Sequence, residues 1–248
     1  MSDLFGHTRD IVKERYALRT PAGFVPSCLP GWKNCTAIIQ ISPGMGANFC
    51  QTQIDLAKNG MGAGRTGANE FVAFVLHGQC AAALDETKYQ LTAGSYLYAP
   101  AQTNFAFQAK GAGARLLIFE KAYAPLAGSA KPAPLLGHEK KIPAKPFLGQ
   151  KGALLQVLLP DDLRFDMAVN IFTYRPGGTL PFVETHIMEH GLLMLKGQGI
   201  YRLDADWHPV RSGDVIWMAP YCPQWFAAVG DEPAGYIYYK DINRAPLG

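Results

Sequence analysis

The sequence has no long apolar run, little excess of positive charge and no closely paired cysteines. No stretch approaches the roughly 18 consecutive apolar residues of a membrane-spanning helix, so we do not expect a membrane protein. The formal net charge is only +3, and no basic block is interleaved with aromatic residues. We therefore do not expect nucleic-acid binding. These absences favour a soluble globular protein.

Cysteine is scarce and its pattern is uninformative about disulfides. The five cysteines are odd in number and form no CxxC pair, and the N-terminal sequence MSDLFGHTRDIVKERY is polar. This usage is typical of a reduced, cytoplasmic protein whose cysteines are small buried hydrophobes, with a cysteine nucleophile as the alternative. The cysteines are Cys28, Cys35, Cys50, Cys80 and Cys222.

Turn-forming residues are abundant by contrast. The 248 residues include 26 glycines and 18 prolines spread along the chain, and 48% of the residues are hydrophobic. Apolar runs of four to eight residues, rich in Val, Ile, Tyr and Phe, are broken by Gly-Gln, Leu-Asp and Ser-Gly-Asp signals. This pattern predicts short antiparallel strands.

Two segments, Phe74–Phe107 and Leu193–Phe226, match without a gap at an offset of 119 residues. We interpret the match as a tandem duplication, and thus an all-β fold with two antiparallel barrels or jelly rolls. The predicted organisation is an arm at 1–20, a barrel at 21–120, a linker rich in Ala, Pro and Lys at 121–150, and a second barrel at 151–248. The matching pairs are Leu76 and Leu195, Gly78 and Gly197, Gln79 and Gln198, Leu84 and Leu203, Asp85 and Asp204, Gly94 and Gly213, and Phe107 and Phe226.

The second copy is preceded by a candidate metal site in the sequence ETHIMEH. In a strand, Glu184, His186 and His190 would share one face, and Glu189 would point to the other. A straight strand would hold residues 184 and 190 about 20 Å apart, too far for one ion, so we expect the chain to bend here. Each residue taken alone could equally be an ordinary core or surface residue. Their joint spacing favours a metal.

The spacing resembles the two motifs of the cupin superfamily. Gly178, Glu184, His186, His190 and Gly197 reproduce the first motif, with Glu in place of its leading His and His in place of its usual Glu. The second motif keeps its glycine at Gly213, its proline is one place late at Pro220, Tyr221 replaces its inner glycine, and Gln224 takes the place of its last His.

This altered ligand set resembles that of the bicupin (S)-ureidoglycine aminohydrolases, and the likeness covers nearly the whole chain, from GFVPSCLPGWKN to YIYYKDINR. The resemblance implies one Mn²⁺ per chain, held by Glu184, His186, His190 and Gln224. It also implies hydrolysis of (S)-ureidoglycine to (S)-ureidoglycolate and ammonia in purine and allantoin catabolism. Under the same offset the first copy carries Arg65, Gly67, Phe71 and Phe105, so we expect no metal in the first barrel.

The resemblance further implies that Tyr201, Tyr236 and Lys240 contact the substrate, with Lys240 pairing with an anionic oxygen. Alternation along GYIYYKD places Tyr236, Tyr238 and Lys240 on one face. Tyr201 and Lys240 are the catalytic candidates, because a hydroxyl and an amine can move protons. In the alternative interpretation the tyrosines are core aromatics and Lys240 is a solvated charge. Glu189 is expected outside the ligand set, and Trp217, Trp225 and Phe226 are expected to wall the barrel.

The predicted ligands are compatible with more than one metal, and two other functions are also compatible with the sequence. One carboxylate, one amide and two imidazoles are compatible with Mn²⁺ or Fe²⁺, although raw affinity would favour Zn²⁺. Two other functions stay open, a dioxygenase or decarboxylase of the oxalate type and a non-catalytic small-molecule-binding bicupin. Exposed edge strands also favour a homo-oligomer, a dimer or a larger ring.

Overall fold

The computed structural model of the chain describes residues 8–241, so the first seven residues of the predicted arm and residues 242–248 of the predicted second barrel lie outside it. The regular secondary structure of the described part of the chain consists of strands and short 3₁₀ turns, and the strands pair in antiparallel fashion. This confirms the predicted all-β class. None of its helical segments is long and apolar enough to cross a membrane. All five cysteines are free thiols.

The strands are β1 (Ile11–Val12), β2 (Tyr16–Arg19), β3 (Lys33–Ile41), β4 (Cys50–Arg65), β5 (Asn69–Leu84), β6 (Thr87–Thr92), β7 (Ser95–Ala99), β8 (Asn104–Ala122), β9 (Leu135–His138), β10 (Lys145–Phe147), β11 (Gln150–Val157), β12 (Ala168–Tyr174), β13 (His190–Lys196), β14 (Gln198–Leu203), β15 (Asp206–Arg211), β16 (Val215–Met218), β17 (Gln224–Ala228) and β18 (Ala234–Lys240). Short 3₁₀ turns lie at Pro21–Gly23, Pro43–Met45 and Glu139–Lys141.

The chain divides into two compact units whose bounds differ from the predicted ones. The C-terminal unit contains the described residues up to Phe24, Ala144–Leu155 and Asn170–Lys240. The N-terminal unit contains Val25–Pro143 and Gln156–Val169. The predicted arm therefore belongs to the C-terminal unit. The cause is a strand pairing between residues far apart in sequence, for which a four-residue strand gives no local signal.

The C-terminal unit encloses its core between two sheets. The larger sheet has the order β1-β2-β16-β13-β18-β12-β11-β10, and the smaller has the order β15-β14-β17. Leu192, Phe172 and Tyr236 from the larger sheet pack with Leu203 and Phe226 from the smaller one. Alternate residues of each strand thus face a common interior, as a barrel requires.

The arm completes one edge of the larger sheet. Strand β2 pairs with β16, with Tyr16 opposite Met218 and Arg19 opposite Val215. Arg9 Nη2 lies 2.7 and 2.9 Å from the two carboxylate oxygens of Asp214, whose side chain is fully buried. The ion pair neutralises a carboxylate that would be costly to bury alone.

The N-terminal unit is built around the long strands β4, β5 and β8, in a sheet of order β3-β4-β8-β5-β7-β9 with β6 beside β5. The predicted linker at 121–150 is more regular than expected. It contains β9, which pairs with β7, and β10, which pairs with β11. These edge strands have only three or four residues, which is too short to show a hydrophobic period. They form because they pair with β7 and β11.

The turns of the structure show the duplication that the sequence predicts. Five residues with positive φ recur at the offset of 119, and the strands between them recur with them: β6 ends 119 residues before β15, and β7 ends 119 residues before β16. Asp85 and Asp204, with φ of 47° and 57°, start equivalent hairpins. The other pairs are Gly78 and Gly197, Gly94 and Gly213, Gln102 and Tyr221, and Gly111 and Gly230.

Gly197 shows why the motif needs its glycine. This residue turns the chain from β13 into β14 with φ of 68°, a conformation that L side chains rarely adopt. A Cβ at this position would lie 2.6 Å from Ala234 Cα and 2.6 Å from Pro233 O. Both the backbone angle and the close approach of β18 therefore exclude a side chain.

Candidate metal and substrate site

The predicted ligands come from a loop and two strands rather than from one strand. The prediction that Glu184, His186 and His190 alternate along a strand is wrong, because only His190 lies in β13 and residues 184–189 are irregular. The segment is held by backbone bonds to the opposite sheet. Glu184 and Gln224 exchange N–H···O bonds of 2.8 and 2.9 Å, and Tyr221 N–H donates to His186 O at 2.7 Å. These bonds supply the bend that a shared ion requires.

Three of the four predicted ligands meet. His186 Nε2 lies 3.1 Å from His190 Nε2 and 3.0 Å from Gln224 Nε2. His190 and Gln224 are buried, and His186 is half-buried. The site therefore combines two buried strand residues, His190 and Gln224, with one half-buried loop residue, His186, that is within hydrogen-bonding distance of both.

The tautomer of His190 is fixed by the backbone. Its Nδ1 lies 3.0 Å from Tyr239 O, and because a carbonyl oxygen only accepts, Nδ1 carries the proton and Nε2 carries the lone pair. Burial lowers the pKa of His190 to about 3, with the neighbouring His186 contributing, so the ring is neutral at physiological pH. A neutral imidazole with its Nε2 lone pair facing inward is the form that binds a metal.

The Nε2 atoms of His186, His190 and Gln224 cannot all be satisfied by hydrogen bonds among themselves, whereas a bound cation would account for their close approach. His186 Nε2 cannot both donate to the lone pair of His190 and accept from the amide of Gln224, since a neutral imidazole nitrogen does one or the other. Two ligands bound at right angles about 2.1 Å from one ion lie about 3 Å apart. A half-turn of the Gln224 amide would bring its oxygen to the cluster. The donor set therefore fits a metal ion.

Glu184 stands slightly apart from this cluster. No group of three His, Cys, Asp or Glu side chains converges anywhere in residues 8–241, so the carboxylate of Glu184 is not gathered with the two imidazoles. Burial raises the pKa of Glu184, and the positive charge of Lys240 partly offsets the rise. Its backbone pairing with Gln224 places Glu184 beside the cluster, and its role as a ligand remains a prediction.

Lys240 faces the ligands from the end of β18. It lies directly opposite His190 in the pairing of β13 with β18, and it is half-buried. Its charge lowers the pKa of His186, although burial of that ring is the larger cause. A cation thus lies at the edge of the site, where an anionic group of a substrate could bind.

The two predicted tyrosines are buried in the interior behind the ligands. Tyr201 Oη lies 3.4 Å from Gln224 Oε1, and the rings of Tyr201 and Tyr236 are 6.1 Å apart. Tyr236 Oη lies 2.8 Å from Tyr174 Oη. Burial raises the pKa of Tyr201 and Tyr236 well above the ordinary value for tyrosine, so both hydroxyls stay protonated. They are donors, with Tyr201 nearest to the ligands.

Other residues of this interior were not singled out from the sequence. Asn170 and Tyr174 of β12 face it, and Tyr238 meets the ring of His190 at 5.5 Å. Alternation along β18 had placed Tyr238 beside Tyr236 and Lys240, a signal that could have found it. Strand β12 carries no motif, so nothing in the sequence indicates Asn170.

The remaining predicted residues lie in both sheets of the C-terminal unit. Glu189 is fully buried and accepts a 3.1 Å bond from Trp217 Nε1, so its side chain is directed away from the ligands, as expected. Phe226 is part of the interior core, whereas Trp217 is not. Trp225 is half-buried and donates to Leu180 O at 2.8 Å.

Two of the four equivalent positions in the N-terminal unit are occupied by aromatic rings, and the other two are Arg65 and Gly67. Phe71 and Phe105, which correspond to His190 and Gln224, meet edge to face at 5.2 Å. Phe107 and Trp32 pack beside Phe105. These side chains offer packing rather than donor atoms.

The chain is similar to known proteins over its whole length. Residues 170–238 match the family described as Cupin domain. A probable (S)-ureidoglycine aminohydrolase of Oryza sativa subsp. japonica is 38% identical, covering 100% of this chain and 79% of the relative. An (S)-ureidoglycine aminohydrolase of Escherichia coli is 34% identical, covering 98% of this chain and 97% of the relative.

Solved structures show the same two-barrel architecture. The crystal structure of protein Ylba from Escherichia coli superposes with a TM-score of 0.86 at 33% identity, over 97% of each chain. Oxalate decarboxylase of Bacillus subtilis superposes with a TM-score of 0.73 over 92% of this chain and 78% of that one, at 10% identity. The second likeness concerns the fold alone.

Proposed function

This chain belongs to the (S)-ureidoglycine aminohydrolase family, and we propose from that membership that it hydrolyses (S)-ureidoglycine to (S)-ureidoglycolate and ammonia in purine and allantoin catabolism. The relatives that carry this name match at 34% and 38% identity over essentially the entire chain. In the reaction the carbon–nitrogen bond to the amine breaks, a carbon–oxygen bond to water forms, and the nitrogen leaves as ammonia.

The observation that carries the proposal is the close approach of His186 to both His190 and Gln224 in the C-terminal unit. The proposed metal site consists of these three residues and Glu184, whose carboxylate would turn toward them. This set contributes one negative charge and harder donors than a thiolate site. It supports Mn²⁺, with Fe²⁺ and Zn²⁺ as the alternatives.

When bound, such an ion would act as a Lewis acid toward the substrate and lower the pKa of a water. The protein's own residues would do the rest. Lys240 lies opposite His190 and would bind the substrate carboxylate through its charge. The buried hydroxyl of Tyr201, beside Gln224, would donate to the group at the reacting carbon.

Tyr236 has a different proposed role. Its hydroxyl shares a 2.8 Å bond with Tyr174 and its ring contacts Phe226, Tyr201 and Tyr238. It would therefore hold Tyr201 in place and close the bottom of the substrate pocket. The enclosed aromatic wall would exclude water other than the reacting molecule.

The experiment is a direct assay with freshly generated (S)-ureidoglycine. Protein stripped of metal by a chelator and then reloaded with Mn²⁺, Fe²⁺ or Zn²⁺ should release ammonia above the spontaneous rate, with Mn²⁺ giving the highest rate. His190→Ala should abolish the effect. His77→Ala, a histidine of the N-terminal unit, is the matched control and should retain full activity. Absence of ammonia release by every metal-loaded form would refute the proposed function.

We also propose that the protein is a cytoplasmic homo-oligomer. Five free thiols suit a reducing compartment. Strand β3 is an edge strand of nine residues whose Ile39 is 50% exposed, and long edges of this kind are commonly covered by another chain. Light scattering coupled to size-exclusion chromatography should give at least twice the monomer mass, and a monomer at micromolar concentration would contradict the proposal.

A further inference from the structure

A second polar cluster lies in the same interior and has no part in the proposed mechanism. Asn170 is 3% exposed and lies two residues before Phe172 on β12. Tyr238 is half-buried and lies two residues before Lys240 on β18. Asn170 Nδ2 lies 3.1 Å from Tyr238 Oη, so the two side chains form one pair.

The pair has hydrogen-bonding capacity to spare. Because the amide of Asn170 donates to the phenol oxygen, the hydroxyl proton of Tyr238 remains free to be donated elsewhere. Asn170 Oδ1 is buried, and none of the described residues offers it a donor. Buried carbonyl oxygens nearly always have a partner, and one without a partner is costly. The pair therefore presents a donor and an acceptor side by side.

Neighbouring rings hold the pair next to the predicted ligands. The ring of Tyr238 stacks on Phe172, with centroids 5.6 Å apart and an angle of 13° between the planes. The ring of His190 meets Tyr238 edge-on, at 5.5 Å and 88°. A molecule that contacts His190 would also be within reach of Tyr238, because the two rings are in contact.

We propose that Asn170 and Tyr238 form the subsite that recognises the ureido group of the substrate, an inference that rests on the proposed function. A ureido group has a carbonyl oxygen, which accepts, beside an N–H, which donates. Tyr238 would donate to the former, and Asn170 would accept from the latter. A carboxylate has acceptors only and would leave the Asn170 oxygen facing another lone pair. The subsite thus distinguishes the two ends of the substrate and so fixes which face of its carbon is attacked.

The test compares two ligands that differ in this group. (S)-Ureidoglycolate, the product, carries the ureido group, and glycolate lacks it. In the wild-type protein both are measured as inhibitors of ammonia release. Tyr238→Phe keeps both ring contacts and removes the hydroxyl. It should raise the inhibition constant of ureidoglycolate and the KM of ureidoglycine about 10-fold, the loss expected for one buried hydrogen bond. The inhibition constant of glycolate and the metal content should not change.

Asn170→Ala provides an independent second variant, because it leaves the stacked ring of Tyr238 in place. It should show the same selective loss for the ureido ligand, and the double variant should lose less than the product of the two single losses because the residues share one interaction. Thermal unfolding of each variant shows whether it is folded. Tyr89→Phe on β6 of the N-terminal unit is the matched control and should behave as wild type.

Two outcomes distinguish failure of the proposed function from failure of the proposed ureido subsite. If the metal-loaded wild type releases no ammonia, the proposed function fails. If the wild type is active but both variants weaken glycolate as much as ureidoglycolate, or weaken neither, the ureido subsite is overturned while the function stands.

Discussion

The chemistry of the site depends on which atoms of a few side chains are left with free lone pairs. The carbonyl of Tyr239 fixes the proton of His190 on Nδ1, and burial keeps the ring neutral. Gln224 reaches the same point from the opposite sheet and is held by its backbone bonds to Glu184. A site of this kind fits a cation, and its residues can be tested one at a time.

Glu184→Ala is expected to remove the metal. Loss of the one anionic ligand lowers the affinity of the set for a divalent ion, while the backbone bonds between residues 184 and 224 do not need the side chain. We expect a metal content close to zero after dialysis, activity reduced at least about 100-fold, and an unchanged far-ultraviolet circular dichroism spectrum. Glu189→Gln, on the other face of the sheet, should retain the metal. Full activity in Glu184→Ala would show that residue 184 is no ligand.

Lys240→Met is expected to separate binding from catalysis. The methylene stem is preserved while the charge that faces the site is lost. Turnover of ureidoglycine should fall by about 10- to 100-fold, corresponding to a lost charge-assisted interaction, and metal content by elemental analysis should stay at wild type. A variant stripped of metal would mean that Lys240 supports the ligands rather than the substrate.

The sequence predicts some residues of this interior and not others, and the reasons are physical. Spacing and ligand chemistry predict His186 and His190, and the resemblance to the second cupin motif predicts Gln224; the structure places His186 beside both other residues. Asn170 is not predicted, because a single asparagine between apolar residues of β12 is compatible with many environments. Its role depends on a partner 68 residues away.

At the scale of elements, the arm is the part of the fold most dependent on polar contacts. Strands β1 and β2 have only six residues, and the arm is fastened by side chains around them. Asp10 Oδ1 accepts from both the N–H and the hydroxyl of Thr20, each at 2.7 Å, and Arg19 Nε lies 3.2 Å from Asp10 Oδ2. Local sequence predicts neither the hairpin nor its position, because β16 supplies most of the pairing.

Attachment of the arm is expected to weaken in acid. Burial raises the pKa of Asp10, but bonds from Thr20, Thr8 and Arg19 outweigh it, so the folded pKa is lowered. A carboxyl with a lowered folded pKa stabilises above its unfolded pKa, about 4, and loses that contribution as the pH falls through the lower folded value. The stability difference between wild type and Asp10→Asn, measured by urea unfolding, should therefore be largest at neutral pH and should shrink below pH of about 4. A difference independent of pH would exclude this role.

At the scale of the molecule, one architecture is used twice with different contents. Equivalent turns at Asp85 and Asp204 show that the two barrels share their framework. The N-terminal unit fills the equivalent positions with Phe71 and Phe105, whereas the C-terminal unit keeps polar groups there. The repeat in the sequence predicts the framework, since turns and strand lengths recur. It does not predict that residues 8–24 belong to the C-terminal unit and residues 156–169 to the N-terminal unit, because those assignments follow from long-range pairing.

Removal of the metal should therefore loosen one unit only. A ligand that binds the folded state stabilises the part that holds it. Hydrogen–deuterium exchange with and without chelator should show faster exchange in β13, β17 and β18 after chelation and unchanged exchange in β5 and β8. Glu184→Ala should already exchange at the faster rate, with or without chelator. Equal acceleration in both units would contradict a single site per chain.

The position of the arm also bears on how the polypeptide is made. Strand β2 leaves the ribosome well before its partner β16 and the bound Asp214, which are synthesised about 200 residues later, since Arg9 and Asp214 are 205 positions apart. Translation at roughly 5–20 residues per second delays that meeting by about 10 seconds or more. Through this interval the nascent chain carries a hairpin without its partner strand, so this edge of the sheet closes only after β16 has been synthesised.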